Sequence, residues 1–342
     1  MNQIPLIAAI SAGLLISACS EPAKSEQQTI SVYTTRHYDS DQEIYKAFEE
    51  KTGIRVRARE GNSTGLLESL KAEGEASPAD LVIATDAGTL WRFQEADLLQ
   101  PITSSKLESV IPERFREPSG YWFGLSKRAR VIVYDPARYA AEDVTDYRVL
   151  SSETYSDEVC MRPSSNIYNL SLMGELIDRW GEDDASDWAK AVTDNFARQP
   201  TGGDTTQIES IAAGECSIAL VNHYYWARLR THSSDAKRAT AAATALSFPS
   251  ADQGTHVNIT GGAVTKHAPN KDGAIAFLEF LASPEGQALL ITETKEFPML
   301  SSVPLPEGLE GLGNFNSSDI QLTIYGENQI AAQKIYDRAG WK

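Results

Sequence analysis

Cys216-Ser217-Ile218-Ala219-Leu220-Val221-Asn222-His223-Tyr224-Tyr225-Trp226-Ala227-Arg228 runs from a continuous apolar stretch into two adjacent tyrosines. The apolar part reads as a strand buried on both faces, the kind that parallel α/β sheets use. Ligands in such sheets bind beyond the carboxyl ends of the strands, so polar-tipped aromatics there are candidate ligand contacts. Tyrosines at a strand end more often serve as wall packing with satisfied hydroxyls. The balance shifts only if other segments bring matching groups to the same place.

Working outward, the chain alternates strands and helices. Residues 30–35 alternate like a strand and lead into Arg36-His37-Tyr38. A helix follows, capped within 39–41, striped by Ile44, Ala47 and Phe48, and stopped by Gly53. In the next strand, 54–60, Arg55, Arg57 and Arg59 alternate with Val56 and Ala58, so one face is wet. Residues 79–85 form a continuous apolar strand, and Asp86 caps the helix after it. Two strands are expected at 122–125 and 129–134, with a crossover between lobes among them. Signals from 137 to 157 are mixed. A short strand at 159–163 precedes Ser164-Ser165-Asn166, which opens a helix with Tyr168 in its first turns. Strands at 246–249 and 257–264 and a last helix at 328–337 complete the pattern. The class is therefore α/β, and 342 residues call for two lobes or one large domain.

Thirty-one basic against 47 acidic residues give a formal charge of −16. That balance repels phosphate backbones and anionic headgroups and excludes nucleic-acid binding, while weakly favouring cationic ligands. Residues 5–18 are apolar, too short to span a membrane, and close on Leu15-Ile16-Ser17-Ala18-Cys19. This resembles a bacterial lipoprotein signal: 1–18 would be removed, Cys19 would carry the lipid, and 19–28 would be a polar tether. Cleavage without lipidation is the alternative, since Met1 to Gln3 hold no Lys or Arg. Cys160 and Cys216 remain, an even pair in a chain that leaves the cytoplasm, and are expected to be joined. The bond would contribute about 4 kcal/mol on a chain-entropy argument; two buried free thiols are the alternative.

Three segments thus offer tyrosine: His37-Tyr38, Tyr168 and Tyr224-Tyr225. If they converge, four phenols and an imidazole meet. A phenolate oxygen is a hard anionic donor suited to a hard trivalent cation such as Fe(III), whereas His and Cys sets suit zinc or copper. A phenol with pKa near ~10 stays protonated unless a cation stabilises its anion. Four phenolates exceed three metal charges, and Arg228 stands close enough in sequence to offset the difference. Two other readings compete. Aromatic residues could stack on an organic cation such as a polyamine or thiamine. Gly61-Asn62-Ser63-Thr64-Gly65 also matches the G-x-S-x-G turn of serine hydrolases. The strand feeding it is wet, however, and no oxyanion motif accompanies it, so Ser63 reads as a turn or cap residue.

The segments Val32-Tyr33-Thr34-Thr35-Arg36-His37-Tyr38, Gly124-Leu125-Ser126-Lys127-Arg128-Ala129-Arg130, Arg162-Pro163-Ser164-Ser165-Asn166-Ile167-Tyr168-Asn169 and Asn222-His223-Tyr224-Tyr225-Trp226-Ala227-Arg228 carry a specific resemblance. They resemble the ferric-binding protein family, the transferrin-like periplasmic components of bacterial iron ABC transporters, and its Fut-type members above all. The resemblance implies a type II periplasmic-binding fold, two α/β lobes joined by crossover strands with the ligand in the interlobe cleft. It implies iron ligation by Tyr38, Tyr168, Tyr224 and Tyr225, with His37 a ligand in some members only, and charge-balancing roles for Arg128 and Arg228. It supports the Cys160–Cys216 disulfide. The first lobe would comprise 29–130 and 255–305, the second 131–254 and 306–342. Such a protein is no enzyme: as a monomer it would hold Fe(III) in the periplasm, anchored through Cys19, and pass it to an inner-membrane permease with its ATPase.

Overall fold

The computed structural model describes Met1 and residues 28–342, so the signal, Cys19 and nearly all of the tether lie outside the described residues. Its strands are β1 (Thr29–Thr34), β2 (Arg55–Glu60), β3 (Leu81–Ala84), β4 (Phe123–Tyr134), β5 (Val159–Cys160), β6 (Ile218–Asn222), β7 (Ala245–Ser247), β8 (Val257–Val264) and β9 (Phe297–Pro298). They pair in the order β2-β1-β3-β8-β4-β6-β5, with β7 and β9 added along β4. β1 is parallel to β2 and β3, and β5 to β6, whereas β8 runs antiparallel to both β3 and β4. Helices Asp41–Thr52 and Ser63–Glu73 make the crossovers that parallel neighbours require. Gly53 ends the first of them at φ 75°, a left-handed conformation that favours glycine.

One element joins the two halves. Phe123 to Ala129 of β4 pair with β8, and Arg130 to Tyr134 pair with β6, so the strand leaves one sheet and enters the other. The sequence suggested two strands here because Ser126-Lys127-Arg128 interrupts the apolar pattern. The structure makes them one strand of 12 residues. The interruption is tolerated because Ser126 and Arg128 share a face, and both bond the buried carboxylate of Glu296. A bulge lies between Gly124 and Ser126, and Gly124 faces Gly261 across the ladder. A Cβ at either glycine would come within 2.9 Å of a backbone oxygen, so this close approach excludes a side chain.

Apolar packing follows the same division. One cluster gathers Val32, Phe48, Leu90, Phe123, Ile259 and Phe277, and draws in Leu322 and Tyr325 from the tail. Beyond the crossing, alternate residues of β4 feed two further clusters. Ile132 and Tyr134 join Met173, Trp188 and Ile335, while Val131 and Val133 join Ile208, Val221 and Leu229. That sheet is therefore covered on both faces, as the unbroken apolar run before Asn222 requires. Cys160 and Cys216 form a disulfide with Cα atoms 5.9 Å apart, closing a separation of 56 residues beside β5 and β6. Residues left unassigned from sequence include three single turns of tight helix, Ala141–Asp143, Tyr147–Ser151 and Glu153–Tyr155. Among the described residues no single helix is long and apolar enough to cross a membrane.

Candidate metal centre

β6 stops at Asn222, and His223–Arg230 is helical. The two tyrosines expected at a strand end therefore occupy the first turn of a helix. Asn222 is the N-cap residue but makes no side-chain cap bond. Instead its amide donates to the Tyr224 hydroxyl at 3.3 Å, while its backbone N–H donates to Asp204 Oδ2 at 2.7 Å. The Tyr224 hydroxyl in turn donates to the Tyr168 hydroxyl at 3.3 Å. Tyr168 is the second residue of the helix Ile167–Trp180, whose cap, Asn166, accepts its backbone N–H at 3.0 Å. The rings of Tyr224 and Tyr225 lie 4.5 Å apart.

Tyr38 arrives from the other half of the molecule, in the loop between β1 and Asp41–Thr52. Its hydroxyl accepts from Arg228 Nη2 at 3.0 Å. Arg228 follows Tyr224 by four residues and so projects from the same helix face. Its guanidinium carbon lies 4.9, 4.8 and 5.6 Å from the ring centres of Tyr38, Tyr224 and Tyr225. Two bonds to the Thr294 carbonyl, 3.2 and 3.1 Å, fix it there. Three tyrosines thus meet around one arginine, and Tyr168 joins them through its bond with Tyr224. His37 is exposed, and its ring stacks beside that of Tyr38 at 5.4 Å.

Further cations lie behind the phenols. Arg128, buried on the crossing strand, stands 5.8 Å from the Tyr168 ring and 5.5 Å from that of Tyr224, and pairs with Glu296 at 2.8 Å. Two residues on, Arg130 pairs with Asp204 at 2.8 Å. The second oxygen of Asp204 holds Arg162 at 3.0 Å, placing that guanidinium 5.2 Å from the Tyr168 ring. Arg36, paired with Asp41 at 2.5 Å, sits 5.0 Å from the Tyr38 ring. Among the described residues, buried Arg36 Nη1 and Arg128 Nε have no hydrogen-bond acceptor.

Burial holds the Tyr224 hydroxyl well above its ordinary range; Tyr168 and Tyr225 push the same way, and Arg128 opposes them. Tyr225 is likewise raised, by burial first and then by Tyr168 and Asp204. Both therefore remain phenols at neutral pH until a cation takes the place of their protons. Among the described residues, no group of three His, Cys, Asp or Glu side chains is arranged to hold a metal. Oxygen donors from tyrosine are what this place offers, and they suit a hard cation. Ser63 begins the helix Ser63–Glu73, where Asn62 supplies the cap, and among the described residues no histidine bonds its hydroxyl.

Asp204, Asn222, Arg162, Arg36 and Glu296 carry the scaffold without having been singled out from sequence. The alternation of Ser126, Arg128 and Arg130 within an otherwise apolar stretch was the available signal for a polar face there.

The chain is similar to several known proteins. The family described as bacterial extracellular solute-binding protein matches residues 43–315. Iron uptake protein A1 of Synechocystis sp. is 41% identical over 336 residues, spanning 96% of this chain and 93% of the relative. The major ferric iron-binding protein of Neisseria meningitidis is 28% identical over 96% of this chain and 98% of its own length. The solved structure of Trichodesmium FutA (IdiA) in complex with iron and citrate ligands is similar at a TM-score of 0.89 and 45% identity. That match covers 92% of this chain and all of the other.

Proposed function

The chain belongs to the bacterial extracellular solute-binding protein family, in the branch of the iron uptake and ferric iron-binding proteins, and from that premise we propose how it holds its metal. It serves a periplasmic iron ABC transporter, taking Fe(III) as cargo. Tyr168, Tyr224 and Tyr225 on one lobe are the first ligands, and Tyr38 completes the set from the other. The observation that carries this reading is the gathering of Tyr38, Tyr224 and Tyr225 from both halves of the chain around Arg228, with Tyr168 bonded to Tyr224. Arg228 and Arg128 offset the negative charge that four phenolates leave beyond that of the metal. The same two cations oppose an organic-cation ligand, which would stack where a guanidinium already lies. His37, exposed beside Tyr38, is an optional further donor.

The lobes are assigned as 29–130 with 255–305, and 131–254 with 306–342. The change of partner along β4 at Ala129 and Arg130 supports that division, although Leu322 and Tyr325 pack with the first lobe's cluster. Closure of the lobes on iron brings Tyr38 to the metal, and the closed form is what the permease with its ATPase receives. The protein acts as a monomer anchored through Cys19. Acid, by returning protons to the phenols, and reduction, by giving the less strongly held Fe(II), release the cargo.

The test adds ferric citrate to metal-free protein and records the visible spectrum. Wild type should show a broad phenolate-to-iron charge-transfer band, and Tyr224→Phe should weaken or shift it. A colourless mixture would refute tyrosinate ligation.

A further inference from the structure

A second cavity lies against the crossing strand, with a volume of about 430 Å³, within the range of small-molecule sites. Side chains alternate across a strand, so Lys127 points to the face opposite Ser126 and Arg128. It enters this cavity. Arg114 lines it too, and Phe115, Phe297, Phe315 and Leu305 supply apolar wall. Among the described residues no acidic one is part of the lining, in a chain of net charge −16.

The two cations differ in what they already hold. Arg114 donates to the Ser318 carbonyl at 2.7 Å, to Asp319 at 3.0 Å and to the Ser317 hydroxyl at 3.0 Å. Lys127 Nζ has no hydrogen bond or ion pair among the described residues. It lies 5.8 Å from the centre of the Phe115 ring. Burial first, and then the charge of Arg114, hold its ammonium below the ordinary lysine range. A half-buried ammonium without an acceptor is stabilised by whatever anion reaches it.

We propose that this cavity is a binding site for a small organic carboxylate with an aromatic or similarly apolar body. The carboxylate pairs with Lys127, and the body lies against Phe115, Phe297 and Phe315. The site is independent of the iron reading, because Lys127 projects from the face of the strand opposite Arg128, the residue that lies beside Tyr168 and Tyr224. Phe115 belongs to the cluster around Phe123 and Ile259, and Phe297 to the one around Val131 and Val133, so an occupant touches two of the apolar cores.

The probe is 2-naphthoate, titrated by its fluorescence into metal-free protein beside the neutral isostere 2-naphthamide. Naphthoate should bind saturably with one site per chain. Lys127→Met, which keeps the apolar stem, should weaken it at least tenfold without affecting the amide. Leu305 lies at the rim, 39% exposed, so Leu305→Trp should block entry of both compounds while leaving the fold undisturbed. Absence of saturable binding to wild type would overturn the proposal. So would undiminished binding to folded Lys127→Met or Leu305→Trp, and loss of naphthoate binding in Tyr224→Phe would overturn it by placing the probe among the tyrosines.

Discussion

Arg128 and Arg228 both approach the Tyr224 ring but differ in what each leaves behind when removed. Arg128 pairs with Glu296, and both are buried. Arg128→Met strands a carboxylate, a loss on the order of 3–5 kcal/mol for a broken buried pair. Its urea midpoint should fall sharply even without metal. Arg228 bonds the Thr294 carbonyl and the Tyr38 hydroxyl, and among the described residues no carboxylate pairs with it. Arg228→Gln should therefore leave the metal-free midpoint nearly unchanged and weaken iron binding in competition with citrate. Equal loss of stability in both variants would contradict this division. Sequence inspection singled out the four tyrosines and Arg228 from the residues themselves, and Arg128 through the resemblance. It did not single out Asp204, which lies on a separate helix and becomes part of the site only through its bonds to Arg130, Arg162 and Asn222.

At the scale of elements, the crossing strand and the helix His223–Arg230 are locked together by His223. Its Nδ1 accepts the Ala129 N–H at 3.1 Å, and with that assignment Nε2 donates to the Lys295 carbonyl at 3.1 Å. The ring stacks on Phe297 at 4.2 Å. Both nitrogens are thus satisfied in the neutral form, and burial pushes the pKa down to about 3. An unfolded histidine titrates near ~6.5, so below that pH the unfolded chain binds the extra proton. The contribution of His223 is complete above about pH 6.5 and is lost as pH falls towards about 3, at up to ~1.4 kcal/mol per pH unit. Urea midpoints of metal-free protein should drop between pH 6.5 and 5, and His223→Gln should flatten that slope. An unchanged slope in the variant would assign the acid sensitivity elsewhere. The sequence reading placed Tyr224 and Tyr225 correctly after β6 but not in a helix, because eight residues with three aromatics and two arginines carry little helical periodicity.

For the whole molecule, a site divided between two lobes makes iron a clamp. In the proposed site Tyr38 is set apart from the other three tyrosines, whereas Tyr168 and the Tyr224-Tyr225 pair lie near the Cys160–Cys216 disulfide in the sequence. Small-angle scattering should show a smaller radius of gyration on adding ferric citrate to wild type, and a much reduced change in Tyr38→Phe. Equal compaction in both would place closure under some other contact. Composition and pattern determined the α/β class, the buried strand before Asn222 and the expectation that Cys160 pairs with Cys216. These follow from local periodicity and compartment, which the chain carries in its order of residues. Tertiary structure alone decided that 123–134 is one strand serving two sheets, that Asp204 and Glu296 hold the arginines in place, and that Lys127 faces a cavity while Arg128 faces the phenols. Each of those depends on groups far apart in sequence satisfying one another's charges and hydrogen bonds once buried, and no local pattern records such a pairing.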